Sequence, residues 1–326
     1  MTDSSFVESH TKQPLREDVA GNLYCDLDGR RIVYSNHDGS YDFVHPDSEN
    51  IADQEFYDQR YRTTRSERLT FERIRYHWSD DGRPENAILL KSLGNLSGTR
   101  VLLLGNGVSI MELYFLHLGA YVVYTDISLP AVKHVQDQLA ASSLKELGSG
   151  NIEFHAVDGL HLPFADASFD IIYGAAFVHH VEDLEGFLSE VKRCLKDGGR
   201  CRFLDCAHSP IWEFAKRTVL RPLKIYLEKK RGISPEDVRA AERGGFTESQ
   251  VADLMRKVGF RDAIFVRVSF FARLTHRGLG KIFGWDVKVF ERGRPLLVIA
   301  RWMDSLFTRS RLMRNNLIAL VWGFDK

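Results

Sequence analysis

Several features that mark other classes of protein are scarce or missing in this 326-residue sequence. Its four cysteines, Cys25, Cys194, Cys201 and Cys206, form no CxxC pair, which argues against a metal ribbon or a disulfide framework. No segment approaches the roughly 18 consecutive apolar residues of a spanning helix, and the polar start shows no apolar core of a secretory signal. These absences predict a cytoplasmic protein without a transmembrane segment.

Net charge is also missing, because 44 Lys and Arg residues balance 44 Asp and Glu residues. Proteins that bind nucleic acid through phosphate attraction carry an excess of basic residues. The neutral total therefore argues against a nucleic-acid partner, and the basic runs at 216–231 and 301–314 are local. With 44% hydrophobic and 27% charged residues, the composition is that of a globular protein with a substantial core.

Local patterns divide the chain into three regions. The hairpin-turn dipeptides Asp28-Gly29 and Asp38-Gly39 separate β-prone runs and predict a small β-meander after a polar, mobile leader. A charged stretch rich in aromatic residues follows and predicts one or two helices. The predicted regions are the leader and meander at 1–50, cap helices at 51–84, and a core at 85–326 with insertions at 207–246 and 273–314.

Strands alternate with amphipathic helices through the core. Thr247 and Gln250 form a capping box that opens one helix, and the apolar residues from Leu184 to Leu195 recur at helical spacing in another that Gly198-Gly199 ends. Strands are predicted at 100–104, 121–124, 151–157, 169–173, 200–205, 263–270 and 317–324. This alternation predicts an α/β fold with a doubly wound parallel sheet, on which the two insertions serve as lids or substrate walls.

A glycine-rich turn, Gly105-Asn106-Gly107, follows the first core strand directly. Such a turn lets backbone approach a nucleotide-type cofactor closely. The dinucleotide pattern G-x-G-x-x-G is broken because Ile110 occupies its third glycine position. Asp126 ends the next strand, where a carboxylate can accept hydrogen bonds from both ribose hydroxyls. Asp158-Gly159 follows the third strand, where a carboxylate can accept from an adenine amino group.

Taken together, these motifs resemble those of class I S-adenosylmethionine-dependent methyltransferases of the small-molecule, UbiE/methyltransferase-11-like type. The resemblance covers about residues 85–270 and the last strand. The family pattern V-L-D-L-G-x-G-x-G is matched with departures at Leu103, where an acid is usual, and at Ser109, where a glycine is usual. The other matching segments are Val157–Asp170, Val178–Val181 and Leu195–Arg200.

The resemblance implies a Rossmann-like, seven-stranded, mostly parallel sheet with an antiparallel final hairpin, and S-adenosylmethionine as cofactor with S-adenosylhomocysteine as product. It places Gly105, Asn106, Gly107 and Ala175 near the methionine part of the cofactor. It places Asp126 at the ribose, and Ile127, Asp158 and Gly159 at the adenine. The usual acid of the first motif helps to orient the cofactor's amino group, so Leu103 requires another residue for this task.

A separate similarity concerns the position of the N-terminal meander, ahead of the predicted helices. The meander is similar to the zinc-ribbon module of some methyltransferases, but only Cys25 remains of a cysteine set, so we expect a degenerate module without metal. A contact surface for a homodimer is compatible with it.

Candidate catalytic residues are His179 and His180, which follow the fourth strand and either act as a general base or only pack the following turn. Tyr57, Tyr61 and Tyr76 either cover the cofactor or pack against the core. Arg217 and Arg221 either meet an anionic substrate or membrane surface, or form a solvated face.

The predicted function is methyl transfer to oxygen, nitrogen or carbon of a small molecule in specialised metabolism. Two alternatives stay open at the level of sequence. One is an RNA methyltransferase, and the other is a non-catalytic cofactor-binding or scaffolding protein, which the departures at Leu103 and Ser109 motivate.

Overall fold

The computed structural model describes most of the chain, and the elements below lie within the described part. The described residues are 6–45, 48–64, 70–80, 82–141, 147, 151–210, 214, 218, 245–260, 263–268, 294–310, 317 and 319–326. Arg217, Arg221 and most of the two predicted insertions lie outside them.

Twelve strands are described. They are β1 (Arg16–Glu17), β2 (Leu23–Leu27), β3 (Arg30–Tyr34), β4 (Asn36–His37), β5 (Ser40–Asp42), β6 (Arg100–Leu104), β7 (Tyr121–Asp126), β8 (Ile152–Ala156), β9 (Phe169–Ala175), β10 (Leu195–Cys206), β11 (Ala263–Val268) and β12 (Ala319–Asp325).

Eight α-helices accompany them in the described part of the chain. They are α1 (Ile51–Arg62), α2 (Phe71–His77), α3 (Pro84–Leu93), α4 (Tyr114–His117), α5 (Leu129–Ala141), α6 (Leu184–Cys194), α7 (Glu248–Val258) and α8 (Arg294–Arg309). Short 3-10 turns occupy Met111–Leu113 and Val178–His180.

Nine strands form one mostly parallel sheet in the order β11-β12-β10-β9-β6-β7-β8-β5-β4, and β1-β2-β3 form a small separate sheet. Along β6, Leu102 and Leu104 face one apolar layer while Val101 and Leu103 face the other. Because successive side chains alternate across a strand, this wholly apolar run fits a strand covered on both faces. The predicted doubly wound α/β architecture is confirmed.

The count of seven strands is too low, because the N-terminal meander joins the main sheet. β5 pairs parallel with β8, with Tyr41 opposite His155 and Asp42 opposite Ala156, and β4 pairs antiparallel with β5. The sequence of β5 shows that it is β-prone, but not that it will pair with a strand far along the chain. A hydrogen bond from Phe43 N to Ala156 O, 2.8 Å, continues this pairing.

The predicted mobile leader is also corrected for residues 6–15, which pack on the core. Phe6 contacts the rings of Phe43 and Phe164, with centroids 5.1 and 5.8 Å apart. Glu8 is fully buried, which raises its pKa, but hydrogen bonds from Thr11, His10 and Tyr34 outweigh burial and lower it to about 2. An aromatic anchor and a satisfied carboxylate hold this segment despite its polar sequence.

One predicted helix end differs from the structure. The segment after the glycine turn forms a 3-10 turn followed by the short α4. Helix α6 ends at Cys194, and Gly198 and Gly199 lie within the irregular start of β10. The capping box is confirmed, since Thr247 Oγ1 accepts from Gln250 N and the Gln250 side chain accepts from Thr247 N.

At the antiparallel end of the sheet, β12 lies between β10 and β11, as the predicted final hairpin requires. Arg202 of β10 is only 2% exposed and donates to the carbonyl oxygens of Cys201 and Phe324, at 2.8 and 2.9 Å. Its guanidinium also pairs with Asp325 at 2.6 Å. A buried cation therefore joins the two strands.

Among the described residues, no helix is long and apolar enough to cross a membrane. In the same part of the chain, no group of three or more His, Cys, Asp or Glu side chains is arranged to hold a metal ion.

Candidate active site

The glycine turn after β6 lies at the carboxyl edge of the sheet. Gly105 and Gly107 have φ angles of 62° and 58°, a region that favours glycine because other side chains are strained there. Gly105 N donates to Thr125 O of β7 at 3.1 Å, and the buried Tyr124 hydroxyl donates to Ser109 O at 2.6 Å. These hydrogen bonds fix the turn against the neighbouring strand.

Two aromatic side chains approach these glycines. A Cβ at Gly105 would lie 2.4 Å from the ring of Phe177, and a Cβ at Gly107 would lie 2.7 Å from the Tyr61 hydroxyl. Tyr61 comes from α1, so the predicted cap helices do reach the glycine turn. Phe177 was missed at the level of sequence because nothing local connects it to a turn on another strand.

Asp126, at the end of β7, points its carboxylate toward the glycine turn. Its Oδ2 accepts from Gly107 N at 2.7 Å, and its Oδ1 accepts from Ser128 N at 3.0 Å. Burial raises the pKa of Asp126 to about 6, although these backbone hydrogen bonds oppose the rise. The negative charge of Asp58 on α1 adds to it. Because this pKa is close to neutral pH, adding or removing a hydrogen-bond donor at the carboxylate changes how much of it is ionised.

Asp158 anchors the N-terminal region in this structure. Its carboxylate accepts from Ser48 Oγ at 2.6 Å, from Asn50 Nδ2 at 3.0 Å and from Leu160 N at 2.9 Å. A Cβ at Gly159 would touch the ring of Phe187 at 3.4 Å. Ile127 is half-buried. The assignment of these residues to an adenine ring stays a prediction, and for Asp158 it requires room beside Ser48 and Asn50.

A cavity of about 590 Å³ lies beside the glycine turn. This volume is in the range of small-molecule sites. Its wall consists of residues 105–112 together with the ends of α1, β9 and β10 and part of α5; the contributors outside the loop are Arg60, Tyr61, Thr64, His77, Arg83, Asn86, His134, Gln138, Tyr173, Ala175, Ala176 and Leu204.

The amide of Asn106 lies in this wall with neither of its polar atoms satisfied. The residue is 8% exposed, and both Oδ1 and Nδ2 are buried without a hydrogen-bond partner in the structure. Buried polar groups in proteins nearly always have partners, so this amide indicates a ligand or water position. Together with the open backbone of two glycines, it fits a polar group bound against the turn.

His179 is held by Asp205 at the same edge of the sheet. His179 Nδ1 lies 2.6 Å from Asp205 Oδ1, and His179 N donates to Asp205 Oδ2 at 3.2 Å. Asp205 is fully buried near the end of β10, and its neighbour Leu204 lines the cavity. A carboxylate at Nδ1 favours the tautomer whose proton is on that nitrogen, which leaves Nε2 to accept a proton.

The other predicted site residues are placed as follows. The His180 ring lies against that of His179, with centroids 4.0 Å apart, and 6.4 Å from the ring of Tyr57. Tyr57 stacks on Tyr61 at 5.9 Å. Tyr76 is half-buried on α2 and is not part of the cavity wall, so the structure does not bring it to the others.

The known proteins with similar sequences or folds described below are methyltransferases. A family model described as a methyltransferase domain matches residues 102–203. The demethylmenaquinone methyltransferase of Tropheryma whipplei (strain Twist) is 29% identical over 194 residues, which cover 58% of this chain and 77% of that protein. The malonyl-[acyl-carrier protein] O-methyltransferase of Pseudescherichia vulneris is 32% identical over 126 residues, which cover 39% and 46%.

Among solved structures, phosphoethanolamine N-methyltransferase 2 of Haemonchus contortus, in complex with S-adenosyl-L-methionine, matches with a TM-score of 0.50 and 16% identity. The match covers 82% of this chain and 59% of that chain. At this level of identity the likeness shows the fold alone.

The open, mostly parallel sheet, with a glycine turn after β6 and Asp126 at the end of β7, defines a Rossmann-like α/β domain for a nucleotide-type cofactor. The family match within this domain makes the assignment specific. Residues 102–203 match the methyltransferase domain model, and the protein is an S-adenosylmethionine-dependent methyltransferase whose cofactor is S-adenosylmethionine.

Proposed function

We propose that the protein transfers a methyl group from S-adenosylmethionine to a small molecule, with His179 as the base that activates the acceptor. The contact between His179 and Asp205, beside the cavity of the glycine turn, is the observation that supports this most directly. When bound, the cofactor would supply a methyl group on a sulfonium; a nucleophile that attacks the methyl carbon in line breaks the S–CH3 bond, and S-adenosylhomocysteine leaves.

The chain's own residues then have three tasks. His179 Nε2 removes a proton from the acceptor, and Asp205 holds the ring in the required tautomer. Tyr61 and Phe177 shield the glycine turn from water. Gly105 and Gly107 allow backbone to approach the cofactor, while Asp126 accepts hydrogen bonds from its ribose.

An acidic O–H compound with a flat ring is the acceptor class that we propose. A base is useful where an oxygen must lose its proton, and less so for an amine that is already neutral. The His180 ring lies against the candidate base, and Tyr57 and Tyr61 continue this aromatic surface. One relative is named a demethylmenaquinone methyltransferase, which agrees with an acceptor that has a flat ring.

Calorimetry with S-adenosylmethionine and S-adenosylhomocysteine tests the proposed cofactor site. S-adenosylhomocysteine release is then measured with 1,4-naphthohydroquinone, catechol, a primary amine and a short RNA as acceptors. We expect binding of both nucleosides and turnover with the hydroxylated rings. Turnover with RNA alone would instead support an RNA methyltransferase, and absence of binding would refute the proposal.

Replacing Gly105 by alanine is expected to weaken S-adenosylhomocysteine binding at least about tenfold. The new Cβ would lie 2.4 Å from the Phe177 ring, at a φ of 62°, in the backbone position proposed to approach the cofactor. Calorimetry measures the affinity. Gly29→Ala is a matched control, since Gly29 has a φ of 77° and no atom within 4 Å of its Cβ position. Both variants carry about 1–2 kcal/mol of left-handed strain, so the difference between them reports the crowding and the proposed cofactor contact at Gly105.

Affinity for S-adenosylhomocysteine is expected to fall as the pH drops below about 6. The ionised carboxylate of Asp126 accepts hydrogen bonds from the ribose hydroxyls, and protonation near its pKa of about 6 removes acceptor capacity. If only the ionised form binds, the affinity falls by up to about tenfold for each further pH unit. Calorimetry between about pH 5 and pH 8 measures this, and Asp126→Asn should lose the part of the dependence that Asp126 contributes. A flat profile for the wild type would contradict this role of Asp126.

A further inference from the structure

One acidic side chain in the cavity wall, Glu112, is not used by the function proposed above. It lies on the 3-10 turn Met111–Leu113, is 5% exposed, and accepts a hydrogen bond from Ser109 Oγ at 2.6 Å. Burial raises its pKa, and the charge of Arg83 and the bond from Ser109 only partly oppose this. Burying a carboxylate is costly unless a cation compensates it.

Asn106 provides the second observation at the same place. Its buried amide oxygen and nitrogen have no hydrogen-bond partner in the structure, and it lines the same cavity as Glu112. An amide oxygen and a carboxylate in the wall of one cavity can together accept several hydrogen bonds. An ammonium group, which is positive and has three N–H donors, is the complementary ligand.

The remaining charges of the cavity wall have the opposite sign. Arg60 and Arg83 line the cavity, and Arg83 is close enough to Glu112 to influence its titration. A wall with both a carboxylate and guanidinium groups fits a zwitterionic amino acid better than a simple anion or cation. The amino-acid end of S-adenosylmethionine is such a zwitterion.

Leu103 occupies the position of the usual acid, but its side chain has no polar group that could bind an ammonium group. It is fully buried on β6 and packs in the apolar layer that also contains Phe115 and Tyr173. The acidic group at this side of the glycine turn is therefore supplied from the following 3-10 turn.

We propose that Glu112, together with the Oδ1 atom of Asn106, binds the α-ammonium group of the cofactor, and that Arg83 faces its α-carboxylate. This assignment rests on the proposed cofactor site at the glycine turn. It makes Glu112 a specificity determinant, because it selects nucleosides that carry an amino-acid end.

Two nucleosides that differ only at that end test the assignment. S-adenosylhomocysteine has the ammonium and the carboxylate, whereas 5′-methylthioadenosine has the same adenosine and thioether without them. Calorimetry compares Glu112→Gln with the wild type. The variant is expected to bind S-adenosylhomocysteine about 10- to 100-fold more weakly, which is the range for loss of a hydrogen bond to a charged group. The affinity for 5′-methylthioadenosine should stay within about twofold of the wild type. Glu72→Gln, at an exposed position of α2, is the matched control and should bind both nucleosides as the wild type does.

Asn106→Ala is the second variant, since it lies in a turn outside the regular elements and removes only the amide. It should lower the affinity for S-adenosylhomocysteine about 3- to 10-fold and leave that for 5′-methylthioadenosine unchanged. Equal S-adenosylhomocysteine affinity in Glu112→Gln and wild type would overturn the assignment, as would an equal loss for both nucleosides. Failure of the wild type to bind S-adenosylhomocysteine would instead refute the proposed function, and this assignment with it.

Discussion

Replacing His179 by alanine is expected to lower kcat for methyl transfer about 10²- to 10⁴-fold, the contribution of a positioned general base. The imidazole is the proton acceptor in the proposed reaction and does not line the cavity of the glycine turn. S-adenosylhomocysteine affinity should therefore stay within about twofold of the wild type. Release of S-adenosylhomocysteine with the best hydroxylated acceptor measures kcat, and calorimetry measures the affinity.

Variants of Asp205 test whether His179 acts as a general base or only packs against its neighbours. Asp205→Asn is expected to lower kcat with little change in cofactor affinity, because an amide no longer enforces the tautomer with Nε2 free. Asp205→Glu should restore part of the rate, since it returns the carboxylate. His180→Ala should cost less than His179→Ala, because His179 is the ring that Asp205 holds in the required tautomer. The exposed His37→Ala on β4 serves as the remote control.

An unchanged kcat in His179→Ala would contradict the proposed base. An equal loss of rate and of cofactor affinity would also contradict it, because such a pattern indicates damage to the whole site. A loss of rate in Asp205→Asn that Asp205→Glu does not relieve at all would argue against the positioning role of the carboxylate.

Replacing Arg202 by alanine is expected to lower the free energy of unfolding by about 3–5 kcal/mol. The change removes a side chain that is 2% exposed and leaves the carbonyl oxygens of Cys201 and Phe324 without their donor. It also removes the partner of Asp325. Chemical denaturation followed by circular dichroism measures the difference.

Arg31→Ala is the control for Arg202. Arg31 pairs with Asp26 at 3.0 Å, but both side chains are about half exposed, at 58% and 48%. A pair of this kind contributes at most about 1 kcal/mol. Arg202→Met keeps most of the side-chain volume, so its loss of unfolding free energy should lie between those of Arg202→Ala and Arg31→Ala. Similar losses in Arg202→Ala and Arg31→Ala would show that burial of Arg202 does not determine its contribution.

The strands of the core were predictable because each has a local signal. The apolar run at β6 and the glycines after it locate both the strand and the turn, and Thr247 with Gln250 marks the start of α7. These patterns depend on residues within a few positions of each other. The general position of the cofactor site follows from them, since the carboxyl ends of parallel strands share one edge.

The partners of the site residues were not predictable in the same way. Asp205 meets His179 only because β9 and β10 are neighbours in the sheet, and Ser48 meets Asp158 only because β5 lies beside β8. Glu112 gives no signal either, since a single acid in a short turn is typical of solvent exposure. Contacts of this kind depend on tertiary packing, which a single sequence does not encode in any short pattern.

The position of β12 has a consequence for the order in which the protein folds during synthesis. β12 follows β11 in the sequence, yet it separates β11 from β10 within the sheet. While β12 is still inside the ribosome, β10 and β11 both lack the strand that lies between them in the described part of the sheet. The growing chain must keep these edges from other molecules until Ala319–Asp325 emerges.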